Sequence, residues 1–313
     1  MPHAPPTHIV LHAGVPPEVE GRTYLAFAAA VMLAGGNSVA VRLGLLELPP
    51  YWGASLRFLS AALIQFAVIA VLRYELPRGR RLVGVFLYGL LNFGFAFAFI
   101  YLALTEITAG TMMVVLAMVP LLTLIFAAAE QLEHLSLRSI AGAVTAMLGI
   151  GLVFRDSIEG APPWAMVAAL GAAVCMSMAT VVVKKFPRVH SVIENGLGML
   201  IGGGFLLALS LLLDEPKVLP FAAATWLSLL YLCLGGSIVV FLLYLFVIRR
   251  MTASGAAYIL LLAPLVAVPL GALLLDEPIH PIFIIGGLLV VAGVYMGLNA
   301  HSAMAGPAAS KGL

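Results

Sequence analysis

The sequence predicts an all-α, polytopic membrane protein with ten transmembrane helices arranged as two inverted five-helix repeats. A very apolar composition, ten apolar segments and an internal repeat predict this fold. Of the 313 residues, 63% are apolar and 10% are charged, whereas a soluble domain is about 45–50% apolar and about 25% charged. So few charged residues cannot form the polar surface of a soluble globular protein of this size. The composition therefore excludes a soluble enzyme, a nucleic-acid-binding protein and a disordered protein.

The ten apolar segments lie between charged or proline-rich breaks. Each is close to the ~20 residues that an α-helix needs to cross the hydrocarbon core of a bilayer. The predicted spans are 23–45, 51–73, 82–104, 109–129, 138–154, 163–184, 191–213, 225–248, 254–275 and 281–299. Residues 1–21, which are rich in proline and histidine, are predicted to be a disordered tail, and 301–313 a second tail.

Lysine and arginine predict the orientation of the spans. Twelve of them fall in the termini and loops of one side, and two, Arg155 and Lys217, in loops of the other. Because cytoplasmic loops are enriched in Lys and Arg, both termini are expected in the cytoplasm and the protein in the inner, or cytoplasmic, membrane. Two further basic residues, Arg42 and Arg57, are left inside predicted spans.

An internal repeat divides the chain into two halves. The segment 108–154 can be laid on 252–298 without a gap, at a shift of 144, so that Pro120 falls on Pro264 and Glu133 on Glu277. This predicts five-span repeats at 22–155 and 160–300. Since five is odd, the two halves enter the bilayer in opposite senses. Inverted repeats are typical of secondary transporters, whose substrate site lies near the midplane where the halves meet.

The doubled segment also resembles a known family. Its first copy reads T-A-G-T, V-P-L-L, E-H-L, I-A-G and L-G-I-G, and its second T-A-S-G, A-P-L-V, D-E-P-I, I-G-G and A-G-V. This pattern is similar to that of the EamA-type exporters in the drug/metabolite transporter superfamily, and it extends over about residues 22–299. Within the family the chain resembles YddG-like exporters of aromatic amino acids. The resemblance implies ten helices and export of small metabolites.

Polar and aromatic side chains inside the spans are candidates for a substrate path, because polar groups that face lipid are costly. In span three, spacings of four, three and four place an aromatic stripe and one amide on a single helical face, which we expect to point inward. The alternatives are aromatic packing and, for the hydroxyl groups of span six, interhelical hydrogen bonds. The predicted cavity residues are Asn37, Tyr88, Asn92, Phe95, Phe99, Ser177, Thr180, Ser237, Phe241, Tyr244 and Tyr258.

Two prolines and two arginines inside the spans have separate interpretations. Pro120 and Pro264 predict a kink in each of two equivalent spans, which acts either as a hinge or as a static bend. Arg42 and Arg57 are candidates for binding a substrate carboxylate, because a guanidinium group matches a carboxylate with two parallel hydrogen bonds. The alternative, which the sequence favours, is pairing with glutamates at the external rim, Glu47 or Glu106.

The motifs that are missing also constrain the mechanism. All seven histidines lie in termini or loops, and the sequence holds no P-loop, H-E-x-x-H or G-x-S-x-G motif. We therefore expect secondary transport rather than enzymatic catalysis, without a cofactor or a bound metal. The expected partners are a small-molecule substrate and the lipid bilayer, with no nucleic acid and a functional monomer.

The predicted function is export of small metabolites by alternating access through a central cavity. Amino acids with aromatic or apolar side chains are the leading cargo. One alternative keeps the scaffold and changes the cargo to a drug, a nucleotide-sugar or a lipid intermediate. A second alternative, a membrane-embedded enzyme acting on lipid, would need acids or histidines at the membrane face, and the sequence offers no such set.

Overall fold

The computed structural model describes residues 21–107, 109–153, 162–275 and 281–304, so the predicted N-terminal tail up to residue 20 and the last nine residues of the C-terminal tail lie outside it. Within these ranges the chain is helical, without strands, and the ten predicted spans are confirmed. They are Gly21–Gly44 (α1), Pro50–Val71 (α2), Arg80–Leu104 (α3), Ala109–Leu116 with Val119–Ala129 (α4), Leu137–Val153 (α5), Pro163–Lys185 (α6), Ser191–Leu212 (α7), Ala223–Ile248 (α8), Ala253–Leu275 (α9) and Ile282–Met304 (α10).

Helices α5 and α10 pack along each other in opposite directions through glycines. Gly142 of α5 lies against Gly293, in the middle of α10, and against Gly297, one turn further along, whereas Gly149 lies against Gly286, near the start of α10. A Cβ atom at Gly142 would lie 2.6 Å from the backbone nitrogen of Gly297, so only a residue without a side chain permits this approach. Such close backbone contact is how helices associate in lipid, where the hydrophobic effect supplies little drive.

The other helix pairs follow the same inverted relation. In α2 and α7, Leu59 lies against Gly203 and Gln65 against Gly196, so these two helices are also antiparallel. Helix α1 packs on α8 and α9, and its counterpart α6 packs on α3 and α4. Exchanging each helix for the one five places later therefore reproduces the contacts. The predicted architecture of two inverted five-helix repeats is confirmed.

Helices α3 and α8 each contain one wide π turn in the middle. These turns are Leu90–Phe95 and Leu234–Val239, and they are related by the shift of 144 that the sequence shows further along the chain. A π turn holds one more residue than an α turn and disturbs the regular backbone hydrogen bonding. The structural repeat thus extends upstream of the segment in which the sequences can be aligned.

The two equivalent prolines have different local structures. Helix α4 is interrupted at residues 117–118, and its second part begins at Val119 with Pro120 in the first turn, where a missing N–H costs nothing. Helix α9 is continuous, with Pro264 and a second proline, Pro269, inside it. The interruption in α4 lies just before Pro120, whereas α9 keeps its helix through Pro264, and the role of either proline as a hinge stays a prediction.

The ends of the bundle differ in charge. At the end that we call the basic end lie the α2–α3, α6–α7 and α8–α9 connections, with residues such as Arg78, Arg188 and Arg250. At the opposite end, which we call the acidic end, lie Glu47, Glu106, Asp214 and Glu215 together with Lys217. The charge asymmetry noted in the sequence thus separates the two ends of the folded bundle.

At the acidic end, Glu215 caps a helix of the other half. The turn after α7 places Asp214 at φ 52°, and the backbone N–H of Glu215 bonds to Ser210 O at 3.0 Å. The Glu215 carboxylate then accepts hydrogen bonds from the N–H groups of Tyr51 (3.2 Å) and Trp52 (2.8 Å), in the first turn of α2. A carboxylate stabilises this position because the first N–H groups of a helix lack internal partners and carry partial positive charge.

Two more glutamates do the same. Glu47, in the α1–α2 connection, accepts from the N–H groups of Phe221 (2.9 Å) and Ala222 (3.4 Å), which lead into α8. Burial alone would raise the pKa of the Glu47 carboxyl. The hydrogen bonds that its carboxylate accepts lower the pKa by more than that, so the pKa lies below its ordinary value. At the basic end, Glu133 accepts from the first N–H groups of α9, at Ala253 and Ser254. Each of the three carboxylates joins a loop of one half to a helix of the other.

Candidate functional site

A central cavity of ≈ 230 Å³ lies between the two halves. Helices α1, α2, α3, α4, α6, α8 and α9 contribute to its wall, which is mostly apolar. Its polar lining side chains are Asn37, Arg57, Asn92, Tyr101, Thr180 and Tyr244. A concave, largely apolar space with a few convergent polar groups is typical of a site for a small molecule.

The wall of the cavity repeats the pseudo-two-fold relation of the helices. Many of its lining residues occur as pairs at the shift of 144, one from each half, so the cavity lies where the two repeats meet. These pairs are Phe97 and Phe241, Ile100 and Tyr244, Met113 and Ala257, Leu116 and Leu260, and Val119 and Ala263. This is the position at which carriers built from inverted repeats hold their substrate.

Arg57, in the second turn of α2, is a buried cation in the wall of this cavity. Its residue surface is 3% exposed. Its Nε donates to Ser237 Oγ at 2.7 Å and one terminal nitrogen to Gly236 O at 2.9 Å. The guanidinium also lies 4.9 Å from the ring centre of Phe58 and 5.7 Å from that of Phe97, within the range of cation–π attraction.

The π turn of α8 provides the oxygen that holds Arg57. Gly236, in that turn, accepts from Arg57 and also from Asn37 Nδ2 of α1 at 3.3 Å. A Cβ atom at Gly236 would lie 1.9 Å from Asn37 Oδ1, so the glycine is what lets the amide approach. Because a π turn frees backbone carbonyls from the regular helical ladder, it can satisfy polar side chains at membrane depth.

The π turn of α3 changes which side chains face the cavity. Asn92 lines it, and so do Phe97, five residues after that amide, and Tyr101, four residues after Phe97. The spacing of five is the width of a π turn, so the inward face changes register there. Phe95 packs instead on Phe205, with ring centres 4.9 Å apart, and Phe99 lies against Gly171 of α6. The single face that the 3.6-residue spacing predicts is therefore broken after Asn92.

The remaining predicted cavity residues divide between the cavity and the helix contacts. Phe241 lines the cavity, and so do Tyr244 and Thr180, whose hydroxyl oxygens are 2.6 Å apart. Ser237 does not line the cavity, and its hydroxyl oxygen accepts the hydrogen bond from Arg57 Nε. Ser177 donates instead to Val119 O at 3.1 Å and to Ala173 O at 2.7 Å.

Two tyrosines of the predicted set are buried between helices, outside the cavity. Tyr88 lies against Gly198 of α7, and Tyr258 against Gly297 of α10. Both side chains are within 3% of complete burial. Their predicted role in substrate binding has no support from their position.

The predicted partners of Arg57 are engaged elsewhere or lie apart. Glu47 binds the start of α8, and neither it nor Glu106 forms an ion pair with Arg57. The side chain of Arg42 lies outside the described part of the chain. Of the two arginine candidates, Arg57 is therefore the one that the structure places in the cavity wall.

Several residues of the wall were not on the predicted list. Phe97 and Tyr101 lie on α3 after its π turn, and Met112, Met113 and Met176 supply flexible thioethers. The signal that could have found Phe97 is the repeat itself, because Phe97 falls on Phe241 when the shift of 144 is extended upstream. In the described residues, no three His, Cys, Asp or Glu side chains come together in a way that could hold a metal ion.

The fold and the cavity together define a membrane carrier built from two inverted repeats around one central site. The sequence profile of the EamA-like transporter family matches residues 21–155 and again 163–298. The chain belongs to this family, which is part of the drug/metabolite transporter superfamily. It is a multi-pass membrane transporter.

Comparison with individual proteins agrees with this assignment. The chain is 26% identical over 278 residues to "Uncharacterized inner membrane transporter YedA" of Escherichia coli (strain K12), covering 88% of this chain and 90% of that protein. It is 28% identical over 279 residues to "Probable amino-acid metabolite efflux pump" of the same organism, covering 85% and 91%. A solved crystal structure superposes with a TM-score of 0.78 at 21% identity, covering 91% of this chain and 99% of that one, and it supports the fold.

Proposed function

We propose that this transporter exports small metabolites that combine an apolar or aromatic body with a carboxylate, amino acids with aromatic and apolar side chains among them. The observation that carries the proposal is Arg57, a buried cation at the wall of an apolar cavity between the repeats. Its guanidinium can offer a carboxylate two parallel hydrogen bonds, and the aromatic and methionine side chains can contact the body of the cargo. The name of the Escherichia coli relative, an amino-acid metabolite efflux pump, favours the same class.

Transport follows alternating access and is secondary. The two halves rock about the central site, so that the cavity opens to one side and then the other. The basic end faces the cytoplasm, with both termini on that side, because cytoplasmic loops carry the excess of Lys and Arg. One monomer holds a complete site, since both repeats lie on one chain. No catalytic step on the cargo is needed for this activity.

A cargo that carries phosphate groups is a weaker fit. Two or more negative charges would call for several cations, and Arg57 is the charged side chain among the described residues that line the cavity. A drug or lipid intermediate without a carboxylate would leave Arg57 without a counter-charge. These cargoes belong in the test as alternatives.

Counterflow in proteoliposomes tests the proposal. Proteoliposomes that contain the purified transporter are loaded with unlabelled solute. We then measure uptake of a labelled panel: phenylalanine, tryptophan, leucine, a nucleotide-sugar and an amphipathic drug. We expect exchange of at least one aromatic or apolar amino acid. Exchange of the drug or the nucleotide-sugar without any carboxylic acid would contradict the carboxylate class.

Variants at Arg57 connect the activity to the site. Arg57→Lys keeps the charge but loses the planar fork, so we expect at least about a tenfold loss of exchange. Arg250→Lys is the matched control, because Arg250 also lies over an aromatic ring, that of Phe246 at 3.6 Å, but at the basic end of the bundle. Equal exchange by wild type and Arg57→Lys would show that two-point binding of a carboxylate is not the function of Arg57.

A further inference from the structure

The charge balance of the cavity goes beyond the proposed class of cargo. Arg57 makes its hydrogen bonds to neutral acceptors, a serine hydroxyl and a backbone carbonyl, and its other close contacts are aromatic rings. No carboxylate in the described part of the chain forms an ion pair with it. The cavity wall, as far as it is described, therefore carries one positive charge and no negative one.

The nearby carboxylates are committed to other groups. Glu47 binds the N–H groups that lead into α8, and Glu215 binds those of Tyr51 and Trp52 at the start of α2, six and five residues before Arg57. Both lie at the acidic end and stabilise helix termini. A buried cation whose neighbours are neutral dipoles and aromatic rings keeps an unbalanced charge, and this is costly away from water.

The side-chain oxygen atoms of the described wall that could accept a hydrogen bond from a substrate ammonium are all neutral, and they belong to Asn37, Asn92, Tyr101, Thr180 and Tyr244. Thr180 donates its hydroxyl hydrogen to Met176 O at 2.9 Å, so the hydroxyl of Tyr244, at 2.6 Å, donates to the Thr180 oxygen. The Asn37 side-chain oxygen lies against the Cα atom of Gly236. The described wall thus offers a cation for a carboxylate but no anion for an ammonium.

We propose that the site selects cargo by net charge, and that it binds an apolar monocarboxylate more tightly than the zwitterionic amino acid of the same skeleton. This inference rests on the proposed function, because it assumes that Arg57 receives a carboxylate. A monoanion balances the charge of the cavity. A zwitterion brings a second positive charge into the same apolar space and must leave it without a counter-ion. Deaminated or N-acylated relatives of amino acids are cargo of the favoured class.

Paired probes that differ only in the amine test the inference. 3-Phenylpropionate and phenylalanine share the phenylpropanoate skeleton, and phenethylamine carries the amine without the carboxylate. Binding of each to the purified full-length transporter is measured by competition against the best labelled substrate. We expect 3-phenylpropionate to bind about tenfold more tightly than phenylalanine, since leaving a charged group unpaired in a buried site has a cost of this order. Phenethylamine should bind most weakly of the three.

Two variants separate charge from geometry. Arg57→Lys retains the positive charge, so it should weaken both acids and keep their ratio. Arg57→Gln removes the charge and should bring the ratio of 3-phenylpropionate to phenylalanine affinity close to one. Should Arg57→Gln fail to fold, the wild-type ratio together with that of Arg57→Lys still decides the question.

The outcomes distinguish the inference from the function on which it rests. Equal or tighter binding of phenylalanine, or an unchanged ratio in Arg57→Gln, overturns the inference and leaves the proposed function standing. Absence of binding by both acids, with binding of the drug, overturns both. A ratio that favours 3-phenylpropionate in wild type and disappears in Arg57→Gln supports both.

Discussion

Replacing Glu133 by glutamine removes the charge that holds the beginning of α9. The residue is 8% exposed, and its carboxylate accepts hydrogen bonds from Ala253 N, from Ser254 N at 3.1 Å and from Ser254 Oγ. Glutamine keeps one oxygen but turns the other into an NH₂ group, which cannot accept. At least one of the three donors then loses its partner inside the protein.

The expected cost follows from these contacts. A hydrogen bond to a charged group contributes about 1.5–3 kcal/mol, and a carboxylate at a helix N-terminus adds about 0.3–1 kcal/mol. We therefore expect Glu133→Gln to lower the free energy of unfolding by about 2–3 kcal/mol. Glu130→Gln is the matched control from the same loop. Glu130 forms an ion pair with Lys185, and the two side chains are 42% and 43% exposed, respectively. Such an exposed pair contributes at most about 1 kcal/mol to stability.

Two measurements test the prediction. Denaturant unfolding in detergent micelles, followed by far-ultraviolet circular dichroism, compares both variants with wild type. Hydrogen–deuterium exchange reports the first turn of α9, where the N–H groups of Ala253 and Ser254 should exchange faster in Glu133→Gln. The reasoning is refuted if both variants unfold alike and exchange at α9 is unchanged.

Three further predictions follow from other contacts. Gly142→Ala should destabilise the protein by about 1–3 kcal/mol through overpacking against α10, whereas Gly151→Ala in the same helix, with nothing within 4 Å, should be neutral or stabilising in the same unfolding assay. The lowered pKa of Glu47 contributes stability that is complete above the ordinary glutamate pKa of about 4.3 and is lost as the pH falls through the folded value, so the difference in melting temperature between wild type and Glu47→Gln should shrink in acid. If Pro120 and Pro264 are hinges, replacing each by alanine should slow counterflow at normal expression, and unchanged rates in both variants would leave them as static features.

The helices could be predicted from sequence because the bilayer imposes their length and composition. The inversion could be predicted because five spans separate equivalent residues such as Pro120 and Pro264. The residues that line the cavity were harder to predict, because the spacing argument assumes a regular α-helix through Asn92. The π turn changes the register there, so Phe97 faces the cavity and Phe95 does not. Nothing in the spacing of the aromatic residues marks that turn.

The hydrogen-bond partners of Arg57 could not be predicted from the sequence either. Glu47 and Glu106 belong to the same repeat as Arg57 and to loops at the acidic end, and the pairing that the sequence favours uses them. Its observed partners, Ser237 and Gly236, lie about 180 residues away in the opposite repeat. They stand where the first repeat has Phe93 and Asn92, so the polar cluster arises where the two copies differ and a search for shared residues passes over it.

The paired π turns make the length of α3 and α8 as important as their composition. Deleting one residue inside Leu90–Phe95 would let the backbone close into an uninterrupted α-helix and would rotate everything on one side of the turn by about 100° relative to the other. Phe97 and Tyr101 would then swing away from the hollow without any side chain having been replaced. Evolution of the pocket in this carrier can thus proceed by single-codon loss or gain, a route that substitution scans do not sample.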